Sequence, residues 1–397
     1  MTWNTSLLGD SCHFVRNGKS IKQSKEASGI PITRIETIAE SRIDSTRVGY
    51  AGLQPEDVEG WLLKPNDILL SHINSLEHLG KTAIYEGIPS DLVHGMNLLN
   101  LRCDPSILHP RFLLHYLRTP KAKVKMLQIA NKSVNQTSIA ASKLKQLEIP
   151  LPPLSEQKRI AAILDQADAL REKRRAAIAK LDELLQSVFL DMFGDPVTNP
   201  KGWDSCTLSE IALSGFRNGL SPSNNGIYQS EVLTLSAITM GTFDSSKSKN
   251  GMFEKLPEDK YVNHEDFLIC RGNGNLNLVG IGKFPTKSLS DTLFPDTMIA
   301  ARLDFNRIKR AFLECLWNSD YVRDQLERNA RTTNGTYKIN QGVLGAISLR
   351  LPPMHLQIKF QERTQKLFTM RRQLTKHQSQ LNDLFHSLQQ RAFRGEL

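Results

Sequence analysis

The sequence predicts an α+β protein in which two similar mixed α/β domains are separated by a long antiparallel two-helix coiled coil. Three observations lead to this prediction. The second half of the chain repeats the first at an offset of about 200 residues, and each half ends in a long stretch without proline or internal glycine. The rest of each half contains short β-like runs bounded by Gly, Asn and Ser.

The repeat is most visible in a proline motif. IPLPPLSEQKRI at 149–160 returns as RLPPMHLQIKF at 350–360, with the two prolines and the glutamine kept. Another match at nearly the same offset is NDILLSHIN (66–74) with EDFLICRGN (265–273). Because several ordered segments share one offset, we interpret the chain as a tandem duplication. Two unrelated domains with coincidentally similar linkers are the alternative.

The duplication divides the chain into four segments. Each half begins with a mixed segment of β-like runs and one amphipathic stretch, at 1–151 and 195–351. A proline pair then interrupts the backbone pattern, because proline fixes φ and lacks a hydrogen-bond donor. A long helical segment follows, at 152–194 in the first half and 352–397 in the second.

The two long helices, predicted at 155–193 and 355–393, have apolar residues at heptad spacing. At ~1.5 Å per residue each helix is about 58 Å long, more than the width of a small domain. The narrow apolar stripe favours helix-on-helix packing in a coiled-coil seam, with burial of each helix on its own domain as the alternative. The predicted seam residues are Ile160, Ala167, Leu181, Leu184, Val188, Phe360, Leu367, Leu374, Leu381 and Leu388.

Composition and short motifs limit the classes of function that the sequence allows. A net charge of +10 is compatible with a polyanionic partner, and the five cysteines lack the close spacing of a zinc site or a disulfide framework. No apolar run is long enough to span a bilayer, so we expect no membrane association and a reducing, cytoplasmic location. We find no phosphate-binding loop, metal motif, nucleophile elbow or nuclease-like acidic cluster, so the sequence predicts no catalytic centre.

Two polar segments recur in each half and are the candidate binding loops. SHINS (71–75) corresponds to CRGNGN (270–275), and NKSVNQTS (131–138) corresponds to RTTNGTYK (331–338). Arg, Asn, Gln and Lys side chains are those that pair with base edges and phosphates. For any single residue, a solvated turn or helix face is the alternative. The candidate DNA-binding residues are His72, Asn74, Lys81, Asn135, Gln136, Thr137, Lys143, Arg271, Asn273, Asn275, Asn334, Tyr337 and Lys338.

The chain resembles the specificity subunits of type I restriction-modification systems (HsdS). The stretch from LPPLSEQKRI to GDPVTNPKGW resembles their central conserved region, and LPPMHLQ with the terminal helix resembles the distal conserved region. The resemblance covers essentially the whole chain. The distal copy departs from the pattern, since Leu356 stands where the central copy has Glu156.

This resemblance implies a non-catalytic DNA-recognition subunit with two target-recognition domains, 1–151 and 195–351. Its expected partners are double-stranded DNA, two adenine methyltransferase subunits and restriction subunits. S-adenosylmethionine, ATP and magnesium are expected on those partners, and this chain is expected to bind no metal or other cofactor. The alternatives are a coiled-coil adaptor with two protein-binding heads and the recognition subunit of an orphan methyltransferase.

Overall fold

The structure is a computed structural model that describes residues 3–24, 28–75, 78–132, 137–333 and 335–397. The chain divides into two compact units. The first unit contains Met1–Glu172 together with Gln380–Leu397, and the second contains Lys173–Ser379. Each of the two long helices therefore has residues in both units.

The first half of the chain supplies nine strands and four helices among its described residues. The strands are β1 (Thr5–Leu7), β2 (Cys12–Asn17), β3 (Ile68–Ser71), β4 (Ile73–Asn74), β5 (Thr82–Ile84), β6 (Leu98–Cys103), β7 (Asn131–Lys132), β8 (Thr137–Ser138) and β9 (Glu148–Pro150). The helices are α1 (Pro110–Leu117), α2 (Pro120–Gln128), α3 (Ala141–Lys145) and α4 (Leu154–Phe193).

The second half supplies twelve strands and five helices in its described part. The strands are β10 (Ser205–Thr207), β11 (Arg217–Asn218), β12 (Tyr228–Leu233), β13 (Ser248–Phe253), β14 (Asp266–Cys270), β15 (Gly272–Asn273), β16 (Gly282–Lys283), β17 (Thr292–Leu293), β18 (Met298–Arg302), β19 (Arg331–Thr333), β20 (Thr336–Lys338) and β21 (Ser348–Arg350). The helices are α5 (Ser236–Thr239), α6 (Arg310–Trp317), α7 (Asp320–Asn329), α8 (Gln341–Gly345) and α9 (Met354–Ala392).

The two units have the same sheets in the same order, as the duplication predicts. Each has a four-stranded sheet, ordered β2–β6–β3–β5 in the first and β11–β18–β14–β16 in the second. Each also has a two-stranded sheet, β1–β9 or β10–β21, and a three-stranded sheet, β4–β8–β7 or β15–β20–β19. The second unit adds a sheet ordered β13–β12–β17. The fold is α+β, with a hydrophobic core between sheet and helices in each unit.

The glutamine of the repeated proline motif joins α4 to the first unit. Gln157 is fully buried. Its side-chain oxygen accepts a hydrogen bond from the His109 backbone N–H at 2.8 Å. Its side-chain nitrogen donates to the carbonyls of Ile107 (3.0 Å) and Pro152 (2.9 Å). One side chain thus satisfies three backbone groups, in the loop before α1 and at the proline pair.

Gln357 makes the same three contacts in the second unit. Its oxygen accepts from the Lys309 backbone N–H at 2.9 Å, and its nitrogen donates to the carbonyls of Arg307 (3.3 Å) and Pro352 (2.8 Å). It is also fully buried. Each partner is displaced by 200 residues from its counterpart around Gln157, so the repeated motif has one structural purpose in both halves.

The long helices run antiparallel within each unit. In the first unit Arg171 donates to the Asn382 side chain at 2.8 Å, and Arg159 donates to the Leu397 carbonyl at 2.8 Å. In the second unit Arg371 pairs with Asp182. In these contacts, higher residue numbers in α4 are paired with lower residue numbers in α9, so the two helices are antiparallel. The observed bounds of both helices agree within a residue with the predicted ones.

The predicted seam needs correction at one position. The Leu184 side chain is 46% exposed, whereas the next residue, Leu185, is buried. Leu185 and Val188 lie four and seven residues after Leu181, so the buried face passes beside Leu184. The apolar stripe predicted from the sequence includes leucines on both sides of this face. Spacing alone does not show which of these leucines are buried. The other predicted seam residues are buried or half-buried.

A buried aspartate begins the strand that leads to each candidate loop. Asp67, at the start of the first such strand, accepts both hydrogen bonds of the Arg102 guanidinium, at 2.7 and 2.6 Å. Asp266, its counterpart, accepts from Arg302 at 3.0 Å and forms an ion pair with Arg217 at 2.6 Å. These pairs fix the sheet beneath the loops, since a buried carboxylate without a partner is strongly unfavourable.

The first unit also buries two histidines near these strands. Burial lowers the pKa of His72 and of His94 to about 4. The Nε2 of His94 lies 2.9 Å from the Leu98 carbonyl, so this nitrogen carries a hydrogen and donates it. Neither Nδ1 atom has a hydrogen-bond partner in the described residues. Both rings therefore resist protonation in the folded state.

In the described part of the chain, none of the helices combines the length and the apolar character that crossing a membrane requires.

The buried glutamine gives a first prediction. Gln157→Ala leaves three backbone groups without their partner and should lower the free energy of unfolding by roughly 3 kcal/mol. The matched control is Gln166→Ala, at an exposed position of the same helix, which should change it by less than about 0.5 kcal/mol. Denaturant titration measures both variants. Equal effects would show that Gln157 does not anchor the helix.

The buried histidines give a second prediction, on pH. Because their folded pKa lies below the unfolded value, the unfolded chain binds more protons, so stability is complete above about pH 6.5 and falls toward pH 4. The expected loss at about pH 4.5 is roughly 2–3 kcal/mol for each histidine. Thermal unfolding across this range measures it.

The matched variant for the pH prediction is His94→Phe, since Phe294 is buried at the equivalent position of the second unit. This variant should lose stability less steeply on acidification than the parent chain. Identical pH profiles for the two proteins would contradict the assignment to His94.

Candidate nucleic-acid interface

In each half, described residues of both candidate segments pair in one three-stranded antiparallel sheet. In the first unit β4 pairs with β8, which places Asn74 opposite Thr137. In the second unit β15 pairs with β20, which places Asn273 opposite Tyr337. The two polar segments that recur in the sequence are therefore neighbours in space in both units.

Arg271 is held at the junction between β14 and β15. Its backbone N–H donates to the Thr297 carbonyl at 2.8 Å, and its carbonyl accepts from the Ile339 N–H at 2.9 Å. Its half-buried guanidinium donates through Nη1 to the Asp296 carbonyl at 3.2 Å. A guanidinium oriented by one backbone contact keeps further donors for a planar acceptor, such as the guanine edge in the major groove.

Asn273 and Asn275 shape the loop that follows. The Asn273 side-chain oxygen accepts from the Asn275 N–H at 2.9 Å, and the Asn275 oxygen accepts from the Asn277 N–H at 3.0 Å. These are consecutive side-chain-to-backbone turns, which asparagine forms readily. The amide oxygens are thus used within the loop, while the amide NH2 groups remain as donors.

Two like charges face each other on the sheet of the second unit. Arg331 on β19 is directly opposite Lys338 on β20, and both side chains are exposed. Within the described residues neither forms an ion pair. Like charges at opposed strand positions are destabilising, and a polyanion removes that cost by binding both. Arg331 is not among the DNA-binding residues predicted from the sequence, because only strand pairing shows that it faces Lys338.

Tyr337, which precedes Lys338 on β20, is half-buried. It packs against the core of the second unit and pairs with Asn273 and Thr332. The aromatic ring therefore supports the sheet from below. Its predicted role at the interface stays a prediction, with a structural contribution now visible.

Two predicted contact residues of the first unit need correction. The side chains of His72 and Thr137 are 3% and 4% exposed. His72 stands where the second unit has Arg271, but its ring is directed into the protein. Direct contact of either side chain with a base is therefore incompatible with this structure. The sequence pattern aligned His72 with Arg271 and missed the direction of the His72 side chain.

The remaining first-unit residues differ in accessibility. Asn74 is half-buried, donating to the Ser71 hydroxyl at 3.3 Å and accepting from the Ser75 N–H at 2.8 Å. The half-buried Lys81 donates from Nζ to the Ala39 carbonyl at 2.8 Å. Lys143 is exposed on α3. Of these side chains, Lys143 is the one presented directly to solvent.

Three candidate residues lie outside the described residues: Asn135, Gln136 and Asn334. Their assignment to the interface stays a prediction.

Within the described residues, no group of three or more His, Cys, Asp or Glu side chains is arranged to hold a metal ion.

Comparison with known proteins agrees with this architecture. The family described as type I restriction modification DNA specificity domain matches residues 1–180. A putative type I restriction enzyme MjaX specificity subunit from Methanocaldococcus jannaschii is 44% identical over 210 residues. That alignment covers 53% of this chain and 49% of the relative, so the match spans about half the length of that protein.

Two further comparisons extend over most of the chain. The type I restriction enzyme EcoKI specificity subunit from Escherichia coli K12 is 24% identical over 393 residues, covering 93% of this chain and 82% of the relative. The crystal structure of a type I restriction-modification S subunit from M. genitalium aligns with a TM-score of 0.58 at 16% identity, covering 99% of this chain and 96% of that one, which shows a shared fold. Over residues 1–180 the chain is thus similar to the type I restriction modification DNA specificity domain, and over most of its length it is similar to a type I specificity subunit.

Proposed function

We propose that this chain is the non-catalytic DNA-recognition subunit of a type I restriction-modification complex, in which each unit reads one part of a bipartite double-stranded target. The observation that carries the proposal is the doubled three-stranded sheet. Its backbone pairing is the same in both units, while its side chains differ. This is what two readers of different sequences require, since the scaffold is kept and the contacts change.

The charge of the second sheet favours DNA over a protein partner. Arg331 and Lys338 concentrate positive charge at opposed positions, and Arg271 adds a partly accessible guanidinium at the neighbouring loop. Phosphate contacts by lysine and arginine supply most of the affinity of DNA-binding proteins, and base-edge contacts supply specificity. A purely structural adaptor has no need for two opposed cations that form no ion pair within the described residues.

The long helices supply faces for partner subunits. Leu170 and Leu384 are 56% and 52% exposed in the first unit, and Leu184 and Met370 are 46% and 49% exposed in the second. Leu170 and Met370 share a repeat position, as do Leu184 and Leu384. Each pair lies next to a cross-helix contact, Arg171 with Asn382 or Arg371 with Asp182. Repeated exposed apolar pairs suit two copies of one partner.

These partners are two DNA adenine methyltransferase subunits, with restriction subunits joining the complex. On this proposal S-adenosylmethionine, ATP and magnesium act on those partners, and the chain works in the cytoplasm. The match of residues 1–180 to the type I restriction modification DNA specificity domain supports the assignment of such partners.

The proposal predicts distinct effects for two cationic residues of the second unit. Arg271→Ala should cost roughly 1–3 kcal/mol of affinity for the correct target and relax the sequence at one half of it. Lys338→Ala should weaken binding to all sequences and reduce the slope of log affinity against log salt by about 1. Binding titrations measure the affinity and the salt slope of each variant. Mapping of methylated adenines in cells that express the chain with its methyltransferase measures the sequence preference.

Arg271→Lys is the matched control, because it keeps the charge and loses the planar pair of donors. It should relax the sequence as alanine does while keeping the salt slope. The other half of the target should stay unchanged in every variant. Unaltered affinity and methylation pattern in Arg271→Ala would remove this residue from the interface.

The helix faces predict a separate effect on assembly. Leu184→Gln combined with Met370→Gln should weaken binding of the methyltransferase subunit at least about tenfold, since two exposed apolar anchors are lost. The control is Leu213→Gln, which changes another exposed leucine of the second unit, 64% exposed and outside the long helices. Analytical ultracentrifugation with the purified methyltransferase compares them. Equal binding by both variants would place the docking surface elsewhere.

A further inference from the structure

Two cysteines that are far apart in the sequence face each other in the four-stranded sheet of the first unit. Cys12 begins β2 and Cys103 ends β6, and the antiparallel register places them directly opposite. A bulge follows immediately, between Cys12 and Phe14. Opposed residues of antiparallel strands have Cα atoms about 4.5–5.5 Å apart, which is within the range that a disulfide spans.

The hydrogen bonding around the pair identifies the closer of the two antiparallel geometries. The Asp104 N–H donates to the Ser11 carbonyl at 3.1 Å, next to the pair. Hydrogen-bonded and non-hydrogen-bonded pairs alternate along an antiparallel ladder. Cys12 and Cys103 therefore occupy a non-hydrogen-bonded position, where the side chains approach most closely.

The second unit shows that the fold does not need thiols at this place. Ala212 and Leu303 form the equivalent antiparallel bridge. The flanking hydrogen bond recurs, with the Asp304 N–H donating to the Ile211 carbonyl at 2.8 Å. The same backbone thus accepts an alanine opposite a leucine, so packing alone does not account for two cysteines.

The two thiols also differ in a way that suits a stepwise reaction. Cys12 is half-buried and Cys103 is buried. A side-chain hydrogen bond with Cys12, together with burial, raises the pKa of Cys103. The two thiols are thus in contact. Cys12 is the more accessible to an oxidant, and Cys103 is the buried thiol next to it.

We propose that Cys12 and Cys103 form a reversible disulfide when the protein meets a peroxide. The Cys12 sulfur attacks one oxygen of hydrogen peroxide, the O–O bond breaks, and a sulfenic acid and one water are formed. The Cys103 sulfur then attacks the Cys12 sulfur, forms the S–S bond and displaces the hydroxyl group as a second water. The two sulfurs together lose two electrons and the peroxide gains them; a dithiol reverses the bond by exchange.

The bond closes a loop of roughly 90 residues, a length at which a crosslink strongly restricts the unfolded chain. The oxidised protein should therefore melt roughly 5–10 °C higher than the reduced one. In a reducing compartment the pair rests as thiols. The modification is confined to the first unit, because Ala212 and Leu303 have no thiol to oxidise.

The test is peptide mapping of the full chain by mass spectrometry without reduction, before and after hydrogen peroxide. The expected product is a Cys12–Cys103 linked peptide pair that disappears with dithiothreitol, accompanied by the rise and reversal of the melting temperature. Cys12→Ala and Cys103→Leu copy the residues of the second unit and so keep a side-chain pair that this fold accepts. Each should abolish the link and the shift.

Cys206→Ser is the matched cysteine control, because Cys206 is opposite Leu349 in its own sheet, and it should leave the link unchanged. Oxidation of Cys12 to sulfinic or sulfonic acid, with Cys103 still free for alkylation after unfolding, would overturn the proposal. So would crosslinks that involve Cys206, Cys270 or Cys315 in place of the Cys12–Cys103 pair.

Discussion

A single buried glutamine in each half connects the domain that contains the sheets to the long helix that follows it. Gln157 and Gln357 each bind three backbone groups that come from two separate places, the loop before α1 or α6 and the proline pair before α4 or α9. Proline cannot donate from its backbone nitrogen, so the chain at this point has carbonyls to satisfy and few donors. Both amide groups of the glutamine are needed, and a carboxylate or an apolar residue does not replace them. The direction in which each helix leaves its domain depends on this contact.

The two units share a backbone arrangement and differ in the side chains of the candidate binding loops. Strand order, register and the hydrogen bonds of the glutamines recur at an offset close to 200 residues. At the loop before the three-stranded sheet, however, the first unit has a buried neutral histidine and the second has a partly accessible arginine. A backbone that tolerates both explains how recognition changes without loss of the fold, because stability comes from the sheet and the helices beneath the loops.

Much of this architecture was predictable from the sequence, because it depends on periodic features. The repeat, the proline motif and the heptad spacing predict two similar domains and two helices with nearly the observed bounds. The direction of individual side chains was less predictable. The position of His72 was predicted and its burial was not, and Leu184 fits the heptad spacing although it is exposed and its neighbour Leu185 is buried. The opposed pairs Arg331–Lys338 and Cys12–Cys103 depend on strand register, which the spacing of residues along the chain does not give.

These differences imply that the two units contribute unequally to binding on the proposed function. The second unit presents an exposed cationic pair next to Arg271, whereas the equivalent strand pair of the first unit is Asn131 opposite Ser138, which carries no charge. Phosphate contacts depend on salt and tolerate any sequence, while neutral polar contacts depend on geometry. On the proposed function, this strand pair of the second unit is therefore suited to phosphate contacts, whereas in the first unit the exposed candidate cation is Lys143 on α3. The two units thus offer cations at different places on a similar backbone, so on the proposed function each would contact the DNA phosphates from a different element.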